Sequence, residues 1–168
     1  MYVRPMDVRL ARYDDLEAIE EVAYWACSEA LGEMVPDGVV ATEISQRFRK
    51  AVLSEHLLAQ RLLIGVSSSG QIEVVALVDD APDHTVLTTV VAPVHPSKAP
   101  DGAPLVERVR SMGWDGPLSS SVALGNTAHE QFHEAAGFAP GEVVVDSIDG
   151  HDVFRREWWL EPALSAAG

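Results

Sequence analysis

The chain has a single cysteine, Cys27, in 168 residues. A lone thiol excludes an intramolecular disulfide and any zinc site built from several cysteines. It fits a reducing compartment. Positive charge is scarce as well: 12 Lys and Arg stand against 26 Asp and Glu, for a formal net charge of −14. Nucleic acid and anionic membranes are held by clustered Lys and Arg, so neither is expected as a partner. Long-range attraction would favour a cationic small molecule or a basic peptide, although acidity also simply keeps a protein soluble. No apolar run reaches the roughly 20 residues needed to cross a bilayer. Residues Met1 to Asp7 lack the apolar stretch of a signal peptide, so the expected location is cytoplasmic.

What is present is ordinary for a globular chain: 47% apolar and 23% charged residues. The length suits one domain with a full core, over residues 1–162, followed by a disordered tail at 163–168. Val8 to Arg12 alternates as a strand. Asp14 or Asp15 then offers an N-cap to a helix carrying Leu16, Ile19, Val22, Ala23, Ala26 and Ala30, which Gly32 ends. Residues Glu33 to Val40, with Pro36 and Gly38, read as a loop, and a second helix is expected from about Thr42. The period then changes. Leu62 to Val66 and Gln71 to Asp79 read as a hairpin around Ser67-Ser68-Ser69-Gly70, and Thr85 to Val91 follows as a β-branched strand. Further along, Leu105 to Met112 is a helix, Pro117 to Leu124 a strand, and Asn126 to Ala136 a helix ended by Gly137. Glu142 to Asp146 and Val153 to Leu160 close the chain around Asp149-Gly150. The order β-α-α-β-β-β-α-β-α-β-β describes an α/β (α+β) domain: a mixed, largely antiparallel twisted sheet with helices on both faces.

One stretch, Asn126 to Phe138, carries two patterns. His129-Glu130-Gln131-Phe132-His133 is a literal H-E-x-x-H, in which two histidines one helical turn apart meet a zinc ion and the glutamate activates water. Only three positions define that pattern, and Ala136 and Ala139 stand where its longer form needs glycine and histidine. A third ligand would have to be a distant carboxylate such as Glu157. The helix stripe Ala128, Phe132, Ala135 and Ala136 is expected to face the core, with His129 and His133 beside it. The reading adopted is no metal. Asn126 is placed to cap the helix, and Thr127 and Glu130 have capping-box spacing.

The second pattern lies in Asn126, His133 and Gly137-Phe138. Together with Val94-His95-Pro96 at the end of a strand, the helix beginning Leu105-Val106-Glu107, and the element order over Val8 to Leu160, it resembles the GNAT superfamily of N-acyltransferases. The resemblance implies acetyl-CoA or another acyl-CoA as co-substrate and a primary amine of a small molecule or peptide as acceptor, attacking the thioester directly. In that family a glycine-rich loop at the end of the strand opens a helix, and its backbone N–H groups cradle the cofactor pyrophosphate. The equivalent stretch here, Ser97 to Pro104, has one glycine, two prolines and an aspartate. Pro100 and Pro104 lack an N–H, Asp101 would repel phosphate, and Lys98 is the compensating cation.

The positions that the resemblance assigns to the cofactor are Val94, Lys98, Gly102, Ala103 and Asn126. His133 stands where the family places the acid that protonates the leaving thiolate, work within reach of an imidazole. The strand Thr85 to Val91 carries no carboxylate, so Asp79, Asp80 and His95 are all open as the base. The acceptor pocket is expected between the loop Glu33 to Val40 and the last strands. Two alternatives follow from the same residues: a domain of this fold that has lost acyl transfer and serves as a binding module, and, more remotely, a zinc hydrolase. Trp158 and Trp159, adjacent on a strand, must point to opposite faces, and one of them is available for a homodimer contact.

Overall fold

A computed structural model describes residues 6–32, 34–92 and 99–164. The elements run β1 (Met6–Leu10), a 3-10 turn (Tyr13–Asp15), α1 (Leu16–Leu31), α2 (Asp37–Arg47), α3 (Lys50–Leu58), β2 (Leu62–Ser67), β3 (Ile72–Asp80), β4 (Thr85–Val91), α4 (Ala103–Ser111), β5 (Leu118–Ala123), α5 (Thr127–Ala135), β6 (Ala139–Ile148) and β7 (His151–Leu160). The seven strands form one sheet in the order β1-β2-β3-β4-β5-β7-β6. Every neighbouring pair is antiparallel except β4 and β5.

The expected order of strands and helices holds, with two local corrections. The segment read as a loop before Val40 already turns into helix at Asp37, after Pro36 in an extended conformation. Proline pre-sets the φ that a helix start needs. The single second helix is also two. Phe48 leaves helical geometry at φ −125° and Arg49 is extended at ψ 154°, so the chain re-enters a helix at Lys50. Phe48 is buried at this break, where it anchors the corner between α2 and α3.

The turns follow the expected chemistry. Gly70 takes a positive φ in the β2–β3 hairpin, and Asp149 and Gly150 both do so between β6 and β7, the left-handed pair a two-residue hairpin requires. Asp15 does not cap α1 through its side chain. Its carboxylate instead takes the Arg12 N–H at 2.7 Å and the Arg9 guanidinium at 2.8 Å, tying β1 to the 3-10 turn. At the other end of the chain, Ala163 N–H donates to Asp115 O, and Arg110 Nη2 to Glu161 O. Of the tail expected at 163–168, residues 165–168 lie outside the described residues.

The core divides into two layers. On one face α1, α2 and α3 bury Ile19, Ala23, Leu31, Leu53, Val75 and Val90. On the other, α4 and α5 bury Leu87, Val91, Leu105, Val109, Phe132 and Trp158. Ile19 and Leu53 are fully inaccessible, and each such side chain stabilises the fold by about 1.5–3 kcal/mol. Trp158 is buried while Trp159 is 38% exposed, the opposite-face arrangement that adjacent strand positions impose. Trp25 is exposed and meets Tyr24 edge to face on the outside of α1.

Candidate functional site

Strands β4 and β5 pair for only three positions, Thr85 with Leu118, Val86 with Ser119 and Leu87 with Ser120. Beyond Leu87 each strand keeps its other neighbour: β4 continues against β3 as far as Val91, and β5 against β7 as far as Ala123. The sheet therefore parts between two strands that are each held on one side. From Thr88 to Val91, the backbone groups of β4 on the β5 side have no strand partner among the described residues. Backbone N–H and C=O groups need partners, so this inner edge is a place where a ligand carrying amide groups can pair.

A cavity of about 330 Å³ opens at this parting. Its floor is Val86 to Val91 of β4 with Ser121 and Ala123 of β5. Its roof is the C-terminal half of α1 (Ala26, Cys27, Ala30, Leu31) and the α2 side chains Glu43 and Arg47, with Phe48. Asn126, His129 and Arg155 complete the wall. Within the cavity, the place expected for the loop Glu33 to Val40 is taken by Glu43 and Arg47 of α2 together with Phe48, while the last strands contribute Arg155. Burial pushes the Cys27 thiol up to about 12, so it remains a neutral part of the apolar wall.

His129 reaches the parting from the first turn of α5. Its Nε2 lies 2.7 Å from Thr89 Oγ1, and Thr89 Oγ1 lies 3.2 Å from Ser120 Oγ, so a chain of hydrogen bonds spans from α5 across β4 to β5. All three residues are buried. Burial above all, and then the neighbouring His133 and Arg155, hold the His129 pKa well below the ordinary histidine value. The ring is neutral at pH 7. Asn126 caps α5 by accepting the His129 N–H through Oδ1, and it also lines the cavity. The cap and the cavity wall are thus one residue.

His133 lies elsewhere. It is 1% exposed, donates Nδ1–H to the carbonyl of His129 at 2.8 Å, and has Phe132, Phe138 and Trp158 around its ring. Burial lowers its pKa to about 4 against a partial offset from that hydrogen bond. The residue assigned as acid is a neutral core side chain behind His129, with the two ring centroids 4.8 Å apart. The expected stripe on α5 is corrected accordingly: His129, Phe132 and His133 form the buried face, while Ala135 is exposed. The two imidazoles of the H-E-x-x-H are engaged separately, one with Thr89 and one with its own helix. Among the described residues, no group of three His, Cys, Asp or Glu side chains converges on a point that could hold a metal ion.

Of the other expected cofactor positions, Val94 and Lys98 lie outside the described residues, as does His95. Gly102 and Ala103 are where the loop joins α4. Gly102 packs against α5 so closely that a Cβ there would collide with the Phe132 carbonyl oxygen and lie 2.8 Å from Ala136 Cβ. Its lack of a side chain is required by helix packing. The Ala103 N–H is taken by Asp101 Oδ1 at 2.9 Å. Pro104 has no N–H, and the N–H groups of Leu105 and Val106 bond to Gly102 O. The first turn of α4 is therefore satisfied by the chain itself, with a carboxylate at its positive end. Asp79 and Asp80, two of the expected bases, point away from the cavity into pairs with His56 and Arg61.

Three features of the site were not singled out from sequence: His129 at the parting, the Thr89–Ser120 pair, and an ionic group at the α2 end of the cavity. In that group Glu43 Oε1 lies 2.8 Å from both Arg47 Nε and Arg155 Nη2, while Asp146 Oδ2 lies 3.0 Å from Arg155 Nε. It joins α2 to β6 and β7 at one end of the cavity.

No protein-family model matches the sequence, and no curated protein matches it. Solved structures do match in shape. The PaiA N-acetyltransferase of Thermoplasma acidophilum, in complex with coenzyme A, superposes with a TM-score of 0.66 at 17% identity, over 90% of this chain and 98% of that one. RimL, a ribosomal L7/L12 α-N-protein acetyltransferase also in complex with coenzyme A, gives 0.66 at 11% identity over 98% and 100%. A GCN5-related N-acetyltransferase from Rhodopseudomonas palustris gives 0.69 at 16% identity over 96% and 98%. With the parted β4–β5 pair and the helix order already described, these likenesses establish that the chain adopts the fold of the GCN5-related N-acetyltransferases (GNAT).

Proposed function

We propose that this protein is an acyl-CoA-dependent acyltransferase that delivers an acetyl or similar acyl group to a primary amine. The observation that carries this reading is the parting of β4 from β5 directly onto a cavity. It leaves strand backbone without a strand partner among the described residues on one side and a polar, buried side-chain cluster on the other. The same fold in PaiA and RimL is found with coenzyme A bound, which supports the reading.

Acyl-CoA would supply the activated thioester, and the work of this chain's residues follows from their placement. The inner edge of β4 from Thr88 to Val91 would bind amide groups and hold an acceptor near its free N–H donors. Asn126 would stand at the same opening. His129, neutral and tied to Thr89, would be the group at the parting able to move a proton, with His133 fixing its carbonyl and packing behind its ring. Val94 and Lys98 remain assigned to cofactor contact through the resemblance. The first turn of α4, in contrast, does not fit a pyrophosphate: its donors are spent and Asp101 occupies its positive end.

That misfit favours a second reading, a binding domain of the same fold that takes a ligand in the cavity without acyl transfer. One experiment separates the two. Calorimetric titration with acetyl-CoA and with CoA is expected to show heat and a thermal shift. Silence at about 1 mM ligand removes the acyltransferase and leaves the binding domain. Turnover of acetyl-CoA with any amine, lost on His129→Ala, removes the binding domain.

A further inference from the structure

At the polar end of the cavity, within the group of Glu43, Arg47 and Asp146, stands one buried arginine with most of its hydrogen-bonding capacity unspent. Arg155 lies on β7, in register with Ala123 of β5 and Val144 of β6, and reaches under α2. It is 7% exposed and lines the cavity. A guanidinium carries five N–H donors in a rigid fork and is always charged. Among the described residues, Glu43 Oε1 takes a hydrogen bond from Nη2. Asp146 Oδ2 lies 3.0 Å from Nε, at ion-pair distance but without hydrogen-bond geometry. Nη1 has no acceptor among the described residues.

The carboxylate in the cavity is in the opposite condition. Glu43 is the one acidic residue among the described lining residues, and its Oε1 is already shared by Arg155 and Arg47. Among the described residues, the cavity therefore has cationic donors to spare and no acid free to receive an ammonium group. The four charges of Glu43, Asp146, Arg47 and Arg155 cancel, so the site has no general pull on anions. Its preference is directional, for a planar group that can accept two N–H bonds from one fork. The rest of the roof, from Ala26 to Leu31 with Phe48, is apolar. A volume of about 330 Å³ lies at the small end of ligand sites, suited to a molecule the size of an amino acid.

We infer that Arg155 makes this end of the cavity a carboxylate site, so that the ligand is an amine that also carries a carboxylate and a small apolar body, as an amino acid does. Its carboxylate lies on Arg155, its apolar part under α1, and its amine toward Thr89 and His129. As the identity of an acyl acceptor, this rests on the acyltransferase reading. As a binding property it does not.

The test uses the full chain and three probes of one shape, L-leucine, L-leucinamide and 3-methylbutylamine, titrated calorimetrically with and without CoA. L-Leucine is expected to bind at least about tenfold more tightly than either analogue, because only it presents the two acceptor oxygens. Arg155→Lys, which keeps the charge and loses the fork, is expected to remove most of the leucine-over-leucinamide preference, with a smaller loss for leucinamide, which offers the fork a single carbonyl oxygen. If that variant does not fold, the wild-type ligand series decides alone. Equal or tighter binding of leucinamide or the simple amine overturns the inference, as does no leucine binding at about 10 mM in either condition. Leucine binding without any response to CoA would uphold the carboxylate site while removing the acyltransferase. Turnover that favours the simple amine would do the reverse.

Discussion

Asp101 Oδ1 accepts the backbone N–H of Ala103 at 2.9 Å, so the chain's own carboxylate occupies the start of α4. A helix N-terminus favours negative charge and offers orphan donors. Here both properties are used internally. Asp101→Ala is expected to lower stability by about 0.5–2 kcal/mol, the usual cost of losing a side-chain cap. It is also expected to strengthen CoA binding, because a repelling charge leaves and a donor is freed. Urea denaturation and calorimetry on the same variant check the two signs together. An unchanged CoA affinity would show that α4 takes no part in the site.

Gly102 bears on the same junction through packing. Its Cβ position is filled by the Phe132 carbonyl and Ala136. Gly102→Ala should therefore cost about 1–3 kcal/mol by overpacking, although the backbone of Gly102 has an ordinary negative φ. The comparison with Gly38→Ala, where nothing lies within 4 Å, isolates the steric effect.

Acid should destabilise the protein through its buried histidines. Burial holds His133 down to about 4, against an ordinary 6.5. Between those values the folded chain binds fewer protons than the unfolded one. Stability is thus fully present above about pH 6.5 and is lost as pH falls through 4, by roughly 3 kcal/mol for this residue. His129, lowered by the same burial, adds in the same direction. Thermal melts from pH 7 to pH 4 should show the loss, and His133→Phe should flatten it.

Glu43 holds two arginines at the polar end of the cavity. Glu43→Gln keeps the shape, removes the charge, and leaves Arg155 buried with less compensation. Breaking one side of such a pair costs roughly 3–5 kcal/mol. Denaturant unfolding is the measurement, and a loss below about 1 kcal/mol would mean the group behaves as an exposed ion pair.

At the parting, His129→Ala should lower kcat by roughly 10²–10⁴-fold if the ring moves a proton in transfer. His133→Phe should change activity far less than it changes acid stability. Equal losses from both variants would show that the pair acts only by packing.

Much of this fold was legible because its determinants are local. Alternation placed β1, and apolar and β-branched runs the central strands; Gly70 and Asp149-Gly150 marked their turns, Asn126 and Gly137 the ends of α5. Each of these depends on a few neighbouring residues and their allowed dihedrals. The α2–α3 break was less legible, since Phe48 leaves helical geometry where its ring is buried in the core, a contact with residues far along the chain that leaves no local signal. The two histidines of α5 were misplaced for a related reason. An isolated helix shows one apolar stripe, but α5 lies over a parted sheet and is enclosed on a wider face, so His129 and His133 are both buried, in different surroundings.

The sequence by itself determined the order of elements, the family of folds that order permits, and the poverty of donors before α4, all matters of neighbouring residues. Only the tertiary structure decided that His129 rather than His133 faces the cavity, that Asp101 turns onto Ala103, and that Arg155 rather than Arg156 reaches under α2. Those choices are made by contacts between residues far apart in the chain: Thr89 with His129, and Glu43 with Arg155. Strand alternation requires that Arg155 and Arg156 point to opposite faces, but only the helix laid across one face makes that side a site.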